Sequence, residues 1–192
     1  MKRKTIRYLL PLSLFILVCV PALSQVSPDV YQITAFDHNL NRNNADQWVR
    51  IINPGLNGEN ICADIYVFDD NQELLECCSC PISANGLLTL SLRNDLTANP
   101  ITSQSPDKGV IKIVSSSTCN AKSPAPTPNL RAWISHYELI VGLTSAGSSA
   151  YSDASFDRSS LSSYEQSFLG QACAFAQYLG SGKGVCKCPA AP

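Results

Sequence analysis

The stretch that decides the fold is Ile61-Cys-Ala-Asp-Ile-Tyr-Val-Phe68. Its side chains alternate with a period of two, which is the period of a β-strand. One face would be wholly apolar and consists of Ile61, Ala63, Ile65 and Val67. The other face consists of Cys62, Asp64, Tyr66 and Phe68. We expect the apolar face to pack on a core, and Cys62 to lie on the outer face, where it could tie down a neighbouring loop. The nearest candidate for that loop is Cys77-Cys-Ser-Cys-Pro81, between this strand and the one that begins at Leu87.

Similar short runs flank this stretch and are separated by turn sequences, at intervals typical of antiparallel strands. They are Tyr31–Phe36, Trp48–Ile52, Leu87–Leu92, Val110–Val114 and Leu130–Ile140. Asn53-Pro-Gly55, Asp69-Asp-Asn71 and Ala84-Asn-Gly86 supply turns between them. The chain is therefore predicted to be mainly β, an antiparallel β-sandwich of the immunoglobulin-like class with a disulfide-attached C-terminal α-helix.

Several motifs resemble a β-sandwich module of exported bacterial proteins. They are Trp48-Val-Arg-Ile-Ile-Asn-Pro-Gly55, Ile65-Tyr-Val-Phe-Asp69 and Asn85-Gly-Leu-Leu-Thr-Leu-Ser-Leu92. The inserted Glu76-Cys-Cys-Ser-Cys-Pro81 is similar to an uncharacterised subset of those proteins with no known activity. The resemblance implies a fold and provides no functional residues.

The first 24 residues have the features of a cleavable signal peptide. A basic start is followed by the apolar run from Tyr8 to Val20, then by Pro21 and by Ala22-x-Ser24, a cleavage pattern that predicts Gln25 as the mature N-terminus. The alternative is a lipoprotein signal ending at Cys19, which Val18 disfavours. We expect an exported protein, periplasmic or extracellular, without a stable membrane anchor after cleavage.

The expected organisation is a signal peptide over residues 1–24, a β-sandwich domain over 25–141, and a Ser/Gly-rich loop with a helix and tail over 142–192. Four of the 14 basic residues belong to the signal, so residues 25–192 carry 10 basic and 15 acidic residues, a net charge of −5. This balance, with no basic cluster, argues against nucleic-acid binding.

The chain has nine cysteines, of which Cys19 lies in the signal. The other eight are candidates for disulfides: Cys62, Cys77, Cys78, Cys80, Cys119, Cys173, Cys186 and Cys188. An even number in an exported chain favours four disulfides over metal binding, and allows 105 pairings. For zinc, only the spacing of Cys77 and Cys80 fits. A vicinal Cys77–Cys78 bridge, typical of a redox switch, is a weaker alternative to bridges with separate partners.

A helix is predicted from a capping box, Ser162 with Glu165, to Leu179 before Gly180. Its apolar stripe, predicted to face the sandwich, consists of Phe168, Ala172, Phe175 and Leu179. On that geometry Cys173 points away from the core. We therefore expect Cys173 to pair with Cys186 or Cys188, the alternative being a bridge to the Cys77–Cys80 segment, with the tail cysteines joined to Cys62 or Cys119.

No sequence motif identifies a catalytic residue, a cofactor site or a metal site. The available groups are the bases His38 and His136 and the clustered carboxylates Asp64, Asp69, Glu73 and Glu76. Oxygen ligands alternate from Asp37 to Asp46, but Arg42 and Trp48 stand where a calcium loop requires Gly and Glu.

We expect a non-enzymatic binding, adhesion or envelope-associated module with a protein or glycan partner. The alternatives are an extracytoplasmic hydrolase using His136 or a carboxylate, and a thiol redox protein.

Overall fold

The computed structural model of the protein describes residues 30–38, 46–140 and 148–189. The strands are β1 (Tyr31–Asp37), β2 (Trp48–Ile52), β3 (Ile61–Asp69), β4 (Leu74–Ile82), β5 (Leu87–Ser91), β6 (Lys108–Ser116), β7 (Arg131–Ile140), β8 (Ser148–Ser155) and β9 (Asp157–Ser159). A single π-helical turn, Leu92–Leu96, follows β5, and the helix α1 spans Ser163–Leu179. All the predicted strands form, and they begin and end within about two residues of the predicted bounds.

The strands form two antiparallel sheets. Sheet A has five strands in the order β4-β3-β6-β1-β9, and sheet B has four in the order β5-β2-β7-β8. The main core lies between them and includes the fully buried Ile65 and Ile113 of sheet A and Ile51 and Ile134 of sheet B. The predicted fold class is confirmed: the protein is mainly β, with two antiparallel sheets and a C-terminal helix joined to them by a disulfide.

The face of sheet A that points away from sheet B is covered rather than open. Tyr66 on that face is fully buried, and its hydroxyl donates to the carbonyl of Ala121 at 2.8 Å. Leu169 and Cys173 of α1 complete this second apolar cluster. Cys62 and Asp64 are therefore buried as well, although sequence alternation placed them on an outer face. The molecule has three layers: α1, sheet A and sheet B.

Polar contacts hold α1 in place. Ser162 caps its N-terminus by accepting from the Glu165 N–H at 3.1 Å, as predicted, but the Glu165 side chain points into sheet A instead of closing the capping box. There it accepts from Tyr31 and forms an ion pair with Lys112, each at 2.7 Å. Burial by itself would raise the pKa of Glu165, but the bonds from Lys112 and Tyr31 outweigh it and hold that pKa below its ordinary value.

Two segments expected to be loops are strands. Leu74–Ile82 forms the edge strand β4, where Pro81 is tolerated because an edge strand lacks a partner on one side. Within the Ser/Gly-rich segment, β8 pairs with β7 and β9 pairs with β1. The loop expectation for these residues was wrong because backbone pairing with existing strands overrides a weak intrinsic preference.

Candidate functional site

The eight cysteines form four disulfides: Cys62–Cys119, Cys77–Cys173, Cys78–Cys186 and Cys80–Cys188. Alternation along β4 explains three of them. Cys77 pairs in register with Tyr66 and points towards α1, whereas Cys78 and Cys80 pair with Ile65 and Ala63 and point to the core side. The chain after α1 runs parallel to β4, with Cys77 N–H donating to the Gly184 carbonyl at 3.0 Å, and brings Cys186 and Cys188 to that side.

The prediction that Cys173 pairs with Cys186 or Cys188 was wrong. Cys173 bridges to Cys77 across the α1–sheet A interface, with Cα atoms 5.7 Å apart. The helix is turned by roughly 120° from the predicted orientation, so Cys173 is buried and Phe168, Phe175 and Leu179 are exposed. The alternative pairing was right for Cys173 and wrong for the tail, whose cysteines join β4.

Cys62 also has a different partner from the one suggested by its place in the sequence. It joins Cys119 and not the Cys77–Cys80 segment. Cys77 and Cys78 are not bridged to each other, so the vicinal redox switch is absent from this structure.

A sulfur cluster lies where the tail meets β4. The Sγ atoms of Cys78, Cys80 and Cys188 lie within 4.8 Å of one another. Each of them belongs to a disulfide, whereas metal ions bind thiolates. In this oxidised state the cluster fastens the tail along an edge strand, which also shields that edge.

Two of the predicted carboxylates, Asp64 and Glu76, are fully buried but do not form a pair. Asp64 pairs in register with Ser79 and Glu76 with Val67, so the two side chains leave sheet A on opposite faces. Burial raises the pKa of Asp64 to about 6, against hydrogen bonds from Ser79 and Ser116. Burial likewise raises the pKa of Glu76 to about 7, against a backbone hydrogen bond from Asn99 and the charge of Lys187. A two-carboxylate mechanism would need both groups on one side of the sheet.

The other two carboxylates belong to the β3–β4 turn. Asp69 accepts from the N–H groups of Asn71 at 3.0 Å and Glu73 at 2.8 Å, which closes the turn. Asp69 and Glu73 line a cleft of about 370 Å³ with Asp107. Asp69 thus has a structural role, typical of Asx residues in turns.

The two histidines lie in different sheets. His38 follows β1, packs edge-on against Phe36 with ring centroids 5.6 Å apart, and has its pKa lowered by burial and by the charge of Arg93. His136 lies in β7 and is partly exposed. Residues 39–45, the middle of the segment compared with a calcium loop, lie outside the described residues. Asp46 at its end accepts from Ser91 and from the Arg93 N–H.

A cleft that the sequence did not reveal lies beside Trp133. It has a volume of about 410 Å³, and its walls include Arg131, Asp153, Ser155 and Arg158. These four residues and Trp133 come from β7, β8 and β9, and the segment that forms β8 and β9 was expected to be a loop, so no sequence motif joins them. The cleft is concave and combines an aromatic residue with polar groups of both charges, which are features that a ligand-binding site can use.

Cross-strand polar contacts extend this site over the exposed face of sheet B. Arg50 of β2 donates to Ser135 of β7, whose hydroxyl donates to Asp153 of β8 at 2.5 Å. The guanidinium of Arg50 lies 3.8 Å from the Asp153 carboxylate. Trp48 is 39% exposed on the same face. The arrangement combines flat aromatic surface with fixed hydrogen-bonding groups.

Comparison with protein-family models, curated proteins and solved structures gives no match. The resemblance to exported bacterial β-sandwich proteins therefore stays a prediction. In the part of the chain that the structure describes, no helix has the length and apolar character needed to cross a membrane.

Proposed function

We propose that this protein is an exported, non-enzymatic binding module that holds an anionic saccharide in the cleft beside Trp133. The observation that carries the proposal is the grouping of an indole, two arginines and a carboxylate in one surface cleft. Export is supported by the signal features of residues 1–24 and by four disulfides, which persist in oxidising compartments.

The chemistry of the cleft fits a sugar ring. An aromatic face offers a large, rigid apolar surface on which the C–H face of a pyranose can stack. Asp153 and Ser155 offer acceptors, and Ser155 a donor, for sugar hydroxyls.

The charge of the cleft favours an acidic sugar. Arg131 and Arg158 outnumber Asp153 there, whereas residues 25–192 as a whole are acidic. A guanidinium binds a carboxylate through two parallel hydrogen bonds, which gives both affinity and orientation.

Binding is tested by affinity electrophoresis in gels containing polygalacturonate, with dextran as the neutral polymer. We expect polygalacturonate to retard the wild type and salt to weaken the effect. Trp133→Ala should abolish retardation. Leu87→Ala, at the far edge of sheet B and 56% exposed, is the matched control and should behave as wild type.

Each result bears on the proposal. No retardation of the wild type, or full retardation of Trp133→Ala, would overturn it. Equal retardation by dextran would overturn the preference for an acidic sugar. Release of reducing ends from polygalacturonate by the wild type would favour the hydrolase alternative.

A further inference from the structure

The outward face of α1 is aromatic. Tyr164, Phe168, Phe175 and Tyr178 are 79%, 41%, 64% and 83% exposed. With the exposed Gln171 they fall within an arc of about 80° on an ideal helix. A surface helix of a monomer ordinarily presents polar residues on this side, so the stripe requires an explanation.

The stripe cannot turn inward. Leu169, Cys173 and Ala176 lie on the opposite face of the helix and are buried against sheet A. The Cys77–Cys173 disulfide and the ion pair between Lys112 and Glu165 set the rotation of α1 about its own axis. The aromatic side chains are therefore presented to solvent on a rigid support.

The stripe carries no charge. Glu165 is the single ionisable acid or base of the helix other than its tyrosines, and it is paired within the protein. Two acidic molecules can therefore approach through this face without bringing like charges together. A strongly charged partner finds no complementary group on it.

The order of residue types in the stripe is the same in both directions: Tyr164, Phe168, Gln171, Phe175 and Tyr178. The two tyrosines are each seven residues from Gln171, and the two phenylalanines are three and four residues from it, so the positions match to within one residue. Spacings of three and four are those of helices that pack side by side over several turns. In an antiparallel pair of identical helices with a twofold axis close to Gln171, each Tyr164 lies opposite Tyr178 of the other copy, and each Phe168 lies within about one residue of Phe175.

We propose that the protein forms a twofold-symmetric homodimer through antiparallel pairing of α1 with α1 of a second copy. Such an interface uses the same patch on both molecules, which a self-symmetric stripe provides. Taking ~200 Å² for a fully exposed large side chain, the four aromatic residues and the half-exposed Leu179 offer about 600 Å² per molecule. Two copies would bury about 1,200 Å², the lower limit for a specific interface.

Pairing leaves the Trp133 cleft available. None of the residues that form its walls belongs to α1. The dimer is thus independent of the proposed saccharide site and would present two such sites, which raises avidity on a polymer.

The oligomeric state is measured by sedimentation equilibrium of the exported protein from about 1 to 200 µM. We expect the wild type to be dimeric at the upper end of this range. Phe175→Glu and Tyr178→Glu should each shift the midpoint of dimerisation upward by tenfold or more. Leu56→Glu replaces a 72% exposed apolar residue outside the stripe and should leave the midpoint unchanged.

A charge exchange tests the antiparallel arrangement. Residues 164 and 178 of one helix are about 21 Å apart, so opposite charges at these positions interact only between copies. Tyr164→Lys and Tyr178→Glu should each weaken the dimer, and the double variant should restore it because both contacts become attractive. Circular dichroism and a count of four disulfides verify that each variant is folded.

Three outcomes would overturn the proposal: a wild type that is monomeric throughout the range, a dimer that Phe175→Glu leaves unchanged, or a double variant weaker than both single variants. A monomer that binds lipid vesicles through the stripe would assign this face to a membrane surface instead. Saccharide binding is measured separately, so either proposal can fail alone.

Discussion

Cys77 of β4 and Cys173 of α1 are joined across the boundary between sheet A and the helix, and both are fully buried. The bridge closes a loop of 96 residues. It connects the edge of the sheet to the middle of α1, and thereby decides which face of α1 is buried and which is presented.

Removing this bridge should release α1. The double variant Cys77→Ala/Cys173→Ala is expected to lose about 2–5 kcal/mol of stability, because an unfolded chain without the cross-link has more conformational freedom. Urea unfolding measures the loss, and limited proteolysis should cut within residues 160–180. Cys62→Ala/Cys119→Ala is the control: it should also be less stable but keep α1 protected. Identical cleavage patterns in the two variants would contradict this prediction.

Stability should fall as the pH rises through the range in which Glu76 ionises. Burial raises the pKa of Glu76 from 4.5 to about 7, so the folded protein holds this proton more tightly than the unfolded chain does. The contribution of the group is complete below pH 4.5 and is lost as the pH approaches 7. Glu76→Gln should remove the part of this dependence that comes from Glu76, leaving that of Asp64, whose pKa burial also raises. The variant should be more stable than the wild type at pH 8 by about 3 kcal/mol.

Thermal unfolding at several pH values between 4.5 and 8 tests this prediction, with Glu73→Gln, an exposed residue of the same hairpin, as the control. If the unfolding temperatures of Glu76→Gln and the wild type depend on pH in the same way, the ionisation of Glu76 does not reduce stability in this range, and the prediction is wrong.

Gly170→Ala should destabilise the protein although alanine favours helix. At a surface position the change would stabilise by about 0.5–1 kcal/mol. At Gly170 a Cβ atom would lie 2.7 Å from the carbonyl oxygen of Lys122 and 3.3 Å from Cδ of Pro124. We expect a net loss of about 1–2 kcal/mol, because backbone atoms cannot move aside as a flexible side chain can.

Ser167→Ala, at an exposed position of the same helix, is the control for Gly170→Ala and should be nearly neutral. Urea unfolding of both variants decides the matter. An increase in stability for Gly170→Ala would show that α1 does not approach the Lys122 carbonyl this closely.

The local features of the fold were determined by the sequence itself. Alternation over Ile61–Phe68, the turns between strands and the Ser162 cap all depend on neighbours a few residues apart, and each appears in the structure where it was predicted. The even number of cysteines in residues 25–192 predicted that all eight form disulfides, and they do.

The partners of these elements were decided by tertiary structure. The partner of Cys173 depends on the face of β4 from which Cys77, Cys78 and Cys80 each project. It also depends on the path of the tail, whose cysteines are 108 residues from their partners in β4. No local pattern encodes such a separation. The sequence therefore predicted an apolar stripe that contained Phe168 and Phe175, and only packing against sheet A revealed that these residues face solvent.

Long-range packing also explains why the site residues predicted from the sequence are not those that line the observed cleft. Asp64 and Glu76 are only 12 positions apart in the sequence, but their side chains lie on opposite faces of sheet A. Trp133 and Arg158 are 25 positions apart, and they line one cleft because β8 and β9 add to the two sheets beside β7 and β1. Strand identity is a short-range property of the chain, whereas the choice of neighbours is a long-range one that depends on the packing of the whole domain.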